Sequence, residues 1–424
     1  MARNLIPIFA LLLGTAFLLA GNGLHGLLLP MRGTMEGFSS ASLGFLGTSW
    51  ASGFVVGCLV APRLVMRIGH VRAFGAFAAI SAIIALLTGL IVEPISWIVL
   101  RALTGFAMAA VFMIIESWLN ERSTNETRGM VFSLYMTITY VAIVAGQMTI
   151  ATGDIATPTF FMVAGILYCL ALIPTAVSTA VSPSPLRKVR LDIRGLYRNS
   201  PVACISIFLI GVANGAFGTL APVFGSQVGL SGVTIASLMS VTIFAGALAQ
   251  FPAGRLSDRM DRRYVLAALA GFAGIIGALV LATRATDMTL LFGLIALYGA
   301  MSYTLYPIAV AHANDYASAE DFVKVSGGLL LMYGIGTIIG PTLGGPAMDL
   351  GGPHAIFGVT MVAHLAIAAY AILRSRRRAA IPVEERENFK TLPSLRMATQ
   401  EGLTLDPRAA SSTPGEGEHR DAAE

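Results

Sequence analysis

The sequence predicts an all-α membrane protein: twelve transmembrane helices in two pseudo-symmetric six-helix bundles. Three observations carry that expectation: an apolar composition, twelve apolar runs of spanning length, and an internal repeat. Of the 424 residues, 55% are hydrophobic and only 12% are charged, and the mean hydropathy is +0.75. A soluble domain carries about 25% charged residues, so this chain must use lipid as part of its solvent. The net charge of +5 would suit nucleic acid. The charges, however, sit in short clusters between apolar runs, without the basic, aromatic-interleaved face that nucleic acid requires. Cys58, Cys169 and Cys204 all fall inside apolar stretches without metal-ligand spacing, where lone cysteines pack as small apolar residues. No disulfide framework, metal site or cofactor is implied.

Crossing a hydrocarbon core of about 30 Å takes about 20 apolar residues. Such runs fall near residues 6–29, 41–62, 74–92, 95–117, 130–151, 158–180, 202–223, 233–253, 264–283, 289–311, 325–347 and 354–373. The first could pass for a signal peptide, but it is longer than a signal h-region and its final part recurs later, so it reads as a retained helix. The expected organisation is an N-terminal bundle at 1–180, a cytoplasmic linker at 181–200 rich in Pro and basic residues, and a C-terminal bundle at 201–374. A polar cytoplasmic tail, expected to be disordered, follows at 375–424.

Twelve spans put both termini on one side, and the positive-inside rule names it. With the N-terminus cytoplasmic, the inner segments carry clusters such as Arg63, Arg67 and Arg72, Arg187 to Arg198, Arg255 to Arg263, and Arg374 to Arg378. The outer loops carry only Arg32 and Arg284. The expected location is the plasma membrane, or the inner membrane of a bacterium.

The repeat appears when the chain is slid against itself. At an offset of 192, Asn22-Gly23-x-x-Gly26-x-Leu28-x-Pro30 falls on Asn214-Gly215-x-x-Gly218-x-Leu220-x-Pro222, and Arg67 falls on Arg259. At 194, Ala102-Leu103-x-Gly105 falls on Ala296-Leu297-x-Gly299, and Gly146 on Gly340. Duplicated bundles of this kind are a common way to build transporter folds.

The segment after the eighth span reads Gly254-Arg255-Leu256-Ser257-Asp258-Arg259-Met260-Asp261-Arg262-Arg263. It resembles the loop motif G-x-L-[AS]-D-R-x-G-R-R of the major facilitator superfamily, departing where Asp261 replaces the usual Gly. The copy after the second span is degraded, with Pro62 and Met66 in place of Gly and Asp, while Arg67, Gly69 and Arg72 remain. Arg101-x-x-x-Gly105 in the fourth span is similar to that superfamily's R-x-x-x-G motif. Gly336-x-x-x-Gly340-Pro341-x-x-Gly344-Gly345 resembles its glycine-proline motif, here in the eleventh span rather than the fifth. The stretches Glu116-Ser-x-Leu119, Arg128-Gly129, Gln250-x-Pro252 and Thr304-Leu305-Tyr306-Pro307 resemble the YcaD-like branch, which brings no known substrate. The resemblance covers about residues 5–373. It implies that Asp258 faces the other bundle near Arg128, forming with Arg259, Arg262 and Arg263 an ion-pair latch that holds in one conformation and breaks in another.

Ionisable groups within a span are costly and therefore functional candidates. Arg101 is the strongest. The resemblance places it on the cavity side, where it would bind an anionic group or modulate a proton site; the alternative is a structural arginine bonding to carbonyls. Glu116 lies fifteen residues on, roughly 22 Å along the helix and about 60° round it. It reads as a gate paired with Arg67 or Arg128, or as a buried acid carrying a coupling proton. His25 titrates near neutral pH when unperturbed. Asn22, Asn214, Gln147, Gln250, Tyr140, Tyr303 and Tyr306 are the candidate cavity polars, with interhelical hydrogen bonding the alternative for each.

Gly21-Asn22-Gly23-Leu24-His25-Gly26 matches G-x-G-x-x-G in letters, but it has no preceding strand and ends a span, so close helix packing explains it better. No nucleotide-binding loop or catalytic constellation is present in the sequence, so no enzymatic activity is expected. The expected function is secondary transport of a small organic solute by alternating access, driven by protons, in a monomer. The alternatives are passive facilitation and a non-transporting sensor that signals through its tail.

Overall fold

The computed structural model describes residues 2–123, 127–177, 193–284, 287–317, 322–377, 381–382 and 399; within these it leaves out the side chains of 2–8, 122, 128–129, 175–177 and 322–323. The expected linker up to residue 192 and nearly all of the expected tail therefore lie outside the described residues, as does the side chain of Arg128. The first half of the chain runs as α1 (Ala2–Met35), α2 (Ser40–Ile68), α3 (His70–Leu90), α4 (Pro94–Arg122), α5 (Arg128–Met148), α6 (Thr159–Leu170) and α7 (Leu172–Val177). After the short α8 (Ile193–Asn199), the second half runs as α9 (Pro201–Gln227), α10 (Gly232–Arg259), α11 (Arg262–Thr283), α12 (Met288–Asn314), α13 (Phe322–Gly351) and α14 (Ala355–Ser375). Eleven of these helices are long and apolar enough to cross a membrane. The sixth expected span is a shorter apolar segment, Thr159–Pro174, broken between α6 and α7. Pro174 explains the break, because it has no N–H to donate to the carbonyl one turn back.

The repeat extends to the turns that start the helices. Gly37 and Gly229, 192 residues apart, both adopt the left-handed backbone (φ 77° and 82°) that costs glycine least. Two residues later, the hydroxyls of Ser39 and Ser231 cap α2 and α10 by accepting from Ser42 N–H and Thr234 N–H. At the offset of 194, the carboxylates of Glu93 and Asp287 cap α4 and α12. Each cap satisfies backbone donors that would otherwise lie orphaned at a helix start.

Glycines fix the spacing within each bundle. A Cβ on Gly146 of α5 would overlap the carbonyl of Ala20 in α1, and one on Gly340 of α13 would overlap that of Val212 in α9. Gly105 meets the Trp50 carbonyl of α2 and Gly299 the Thr242 carbonyl of α10 in the same way. Equivalent helix pairs thus approach at equivalent glycines. The innermost helices are α1 and α9, whose apolar windows are 72% and 78% buried, against 33% in α5 and 39% in α10 and α14. The outer surface carries Leu90, Ile95, Phe244, Phe251 and Phe272 at 59% to 76% exposure. An apolar belt of that kind requires lipid around it.

The bundles meet chiefly along α2 with α13, α1 and α2 with α9, and α5 with α10. The distal end of the molecule, opposite the start of α1 and the end of α14, is stitched across this seam. Both Asp349 carboxylate oxygens accept from the first turn of α2, from Ser40 N–H at 2.8 Å and Ala41 N–H at 2.9 Å. Gln227 Nε2 donates to Ser40 Oγ at 3.0 Å. About two to three turns deeper, Thr48 Oγ1 lies 2.8 Å from Thr342 Oγ1 and donates to Ile338 O at 3.1 Å.

Candidate functional site: a central cavity between the bundles

A cavity of about 120 Å³ lies where the two bundles meet. From the first bundle it takes Asn22 and Gly26 of α1, Trp50 of α2, Arg101 of α4 and Gln147 of α5. From the second it takes Asn214 and Gly218 of α9, Met239 and Ile243 of α10, Tyr303 of α12 and Tyr333 of α13. Asn22 with Asn214, and Gly26 with Gly218, are repeat equivalents. The duplication has therefore placed the same residue pair on opposite walls of one site.

Arg101 enters this wall because α4 starts at Pro94, capped by Glu93, and seven residues advance about 10.5 Å into the span. Its guanidinium carbon sits 5.9 Å from the centre of the Trp50 ring, a cation–π distance. A Cβ on Gly26 would already touch Arg101 Nη2 at 3.6 Å, so the glycine leaves the guanidinium room beside α1. Asn214 continues into the second bundle. Its Oδ1 accepts from Ser302 Oγ at 3.0 Å, and Ser302 Oγ lies 3.1 Å from His364 Nε2. His364 Nδ1 lies 2.8 Å from the Thr360 carbonyl, which makes Nδ1 the donor there. Asn214 Nδ2 also donates to Tyr333 OH at 3.5 Å.

Arg101, Asn22, Asn214, Gln147 and Tyr303 are thus brought together, and four other expected cavity residues stand outside the lining, among them Tyr140 of α5. His25 is fully buried within the first bundle, edge-on to Phe161 at 6.2 Å. It shares α1 with Asn22, but the one-turn step predicts the cavity face only when the rotation is also right. Gln250 is buried on α10 away from the lining. Tyr306 stands behind Tyr333, with ring centres 5.1 Å apart. Trp50 and Tyr333 line the site and Ser302 bonds Asn214 from outside the lining; none of the three is apparent from the sequence, since a hydroxyl or aromatic residue in an apolar helix carries little cost that marks it.

The motif loop at the terminal end forms an ion-pair cluster. Arg262 is buried and bonds Asp315 at 2.7 Å and 3.3 Å, Ser257 at 3.0 Å and Asp258 at 3.2 Å. The cluster ties the end of α10 and the start of α11 to the end of α12. Asp315 was not apparent from the motif. Asp261, the departure from the motif, caps α11 by accepting from Arg263 N–H at 2.9 Å and pairs with the Arg263 side chain at 2.7 Å. Burial pushes the Asp261 carboxyl up, but the bonds from Arg263 outweigh it and hold it below its ordinary value. Gly254 is buried in the last turns of α10, and Arg259 is exposed. Arg67 is exposed and makes no ion pair among the described residues.

Glu116 is buried and accepts from Tyr135 OH at 3.2 Å. Its second oxygen accepts from Thr399 Oγ1, a buried residue of the C-terminal tail. Among the described residues, no three His, Cys, Asp or Glu side chains gather as a metal site.

The sequence profile of the major facilitator superfamily matches residues 11–234 and again 203–408. The chain belongs to the major facilitator superfamily. It is 28% identical to the MFS-type transporter YcaD of Escherichia fergusonii over 391 residues, 89% of this chain and 98% of that one. It is 29% identical to YcaD of Salmonella arizonae over 352 residues, 79% and 87% of the two chains. Its fold is similar to the crystal structure of a variant of the nucleoside transporter NupG, with a TM-score of 0.71 at 15% identity over 87% of this chain and 99% of that one. It is also similar to a bacterial homologue of the human lysosomal transporter Spinster, inward-facing and occupied, with a TM-score of 0.68 at 16% identity over 90% and 97%. This member of the major facilitator superfamily is accordingly a membrane transporter. Its two six-helix bundles are the halves that the repeat describes.

Proposed function

We propose that the chain is a secondary transporter that moves a small organic solute by alternating access between its two bundles, binding it in the cavity at Arg101. The observation that carries this reading is the seam. A cavity walled by repeat-equivalent residues of both bundles lies below a distal end sealed by Asp349 on the first turn of α2. Such a seal joins rigid bodies through a few polar bonds, which a rocking motion can break and remake.

The terminal-end cluster of Asp258, Arg259, Arg262 and Arg263 is the opposing latch, with Arg67, Arg128 and Glu116 on the other bundle. In this reading the protein works as a monomer with both termini in the cytoplasm of a bacterial or other plasma-membrane-bounded cell, and protons drive the flux. The test is uptake into proteoliposomes under imposed gradients. Flux that rises with an inward proton gradient supports coupling; equal flux with and without pH and voltage gradients would leave passive facilitation.

One observation favours a regulatory reading alongside this one. Thr399, outside the expected bundles, donates to the buried Glu116. Deleting residues 379–424 tests it: transport unchanged in rate and regulation would remove the tail from the mechanism.

A further inference from the structure

We infer that the central cavity selects a small organic monoanion, a monocarboxylate with an apolar or aromatic body. The inference rests on the transporter reading and deepens it. Among the described residues that line the cavity, Arg101 is the only charged side chain, and none is Asp, Glu or Lys. The site therefore carries one fixed positive charge. An amine entering it meets repulsion with no carboxylate to receive it, and a dianion would carry one charge more than the wall compensates. A monocarboxylate balances the wall in a region of low dielectric, where that balance counts most.

Two further buried groups define the ligand's polar outline. The indole of Trp50 lies beneath the Arg101 guanidinium, and its Nε1–H is buried without a hydrogen-bond partner. It is a second donor beside the cation, as a two-oxygen anion requires. Gln147 Oε1 is likewise buried without a partner and lines the same cavity. It is an acceptor suited to a hydroxyl or N–H on the ligand's body.

The rest of the wall, including Leu27, Ile143, Met239, Ile243 and the rings of Tyr303 and Tyr333, offers apolar and aromatic surface to that body. A cavity of about 150 Å³ holds benzene, so the 120 Å³ here matches a short branched chain and has to widen to take a substituted ring. 4-Hydroxybenzoate combines the required carboxylate, ring and hydroxyl and is the probe of choice.

The experiment uses the full-length chain in lipid nanodiscs for binding and in proteoliposomes for flux. Probes are benzoate, 4-hydroxybenzoate, 3-methylbutanoate, their neutral amides and benzylamine. The expected result is saturable binding of at least one carboxylate, at least tenfold tighter than its amide, with no binding of benzylamine. Arg101→Gln loses that binding at least tenfold while its unaltered melting temperature without ligand shows an intact fold; Arg101→Lys retains part of it. Gln147→Leu reduces the preference for 4-hydroxybenzoate over benzoate. Binding of an amide or of benzylamine in preference to every carboxylate, or full carboxylate binding by a folded Arg101→Gln, overturns the inference. Arg101-dependent carboxylate binding without any flux would instead uphold the site and overturn the transporter reading.

Discussion

Arg262 is the residue with the most at stake. Its side chain is 1% exposed and, besides Ser257, bonds Asp315, at 3% exposure, and Asp258, at 31%. Removing one partner of a buried pair leaves an uncompensated charge and costs roughly 3–5 kcal/mol, whereas an exposed pair contributes about 0–1 kcal/mol. Asp315→Ala should therefore lower the melting temperature of the purified protein sharply, and Asp258→Asn only slightly. Asp258→Asn should instead slow transport at an equal amount of inserted protein, as expected of a latch. Wild-type flux in that variant would remove Asp258 from the gating cycle.

At the same scale, Arg101 was legible because charge within a span is costly enough to stand out, and Asn22 and Asn214 because the offset aligned them. Trp50 and Tyr333 were not, because an aromatic residue among apolar neighbours is indistinguishable from packing until its helix is rotated into place.

The helices are held apart and together by their ends and their glycines. Gly146 and Gly340 sit against the carbonyls of Ala20 and Val212, where even one methyl group must push two helices apart. Overpacking of this kind costs about 1–3 kcal/mol. Gly146→Ala and Gly340→Ala should each lower the melting temperature, while Gly271→Ala, which has open space around it, should not. The cap of α11 adds a pH signature. Asp261 has its carboxyl held below its ordinary value of 3.8 in the folded protein. Its stabilisation is therefore complete above that value and is lost as pH falls through the lower folded value. The stability gap between wild type and Asp261→Asn, followed by thermal melting, should be widest near neutral pH and close below about pH 3.8. A gap that stays constant to low pH would mean that the charge is irrelevant to the cap.

These element-level features were half legible. Hydrophobic runs located the spans, but the helices overrun them, as in α1 from Ala2 to Met35 against an expected 6–29. The reason is that an apolar run marks only the hydrophobic part of a helix, whereas backbone hydrogen bonding continues to the next cap or turn. The matched turns at Gly37 and Gly229 carry the same duplication but are not legible in the sequence, because a single glycine and serine in a loop are common residues.

Across the whole molecule, the polar bonds named here that span the seam lie in its distal half. Asp349 supplies two of them by capping a helix of the other bundle, so one side chain carries much of the closure. The terminal-end motif is legible in the sequence and Asp349 is not. The motif resembles a known pattern, whereas an acidic residue near the end of a span is ordinary until α2 is seen opposite it. On the proposed mechanism the bundles rock about the cavity, and this distal seal opens and closes.

Spin labels at Met35→Cys and Leu350→Cys, both exposed positions, introduced after replacing Cys58, Cys169 and Cys204, would report the distance across the distal end in nanodiscs by pulsed electron resonance. The predicted result is a short distance in the parent chain and a second, longer one whose population grows in Asp349→Ala. A single distance, unmoved by Asp349→Ala and by every ligand that binds the cavity, would contradict the account.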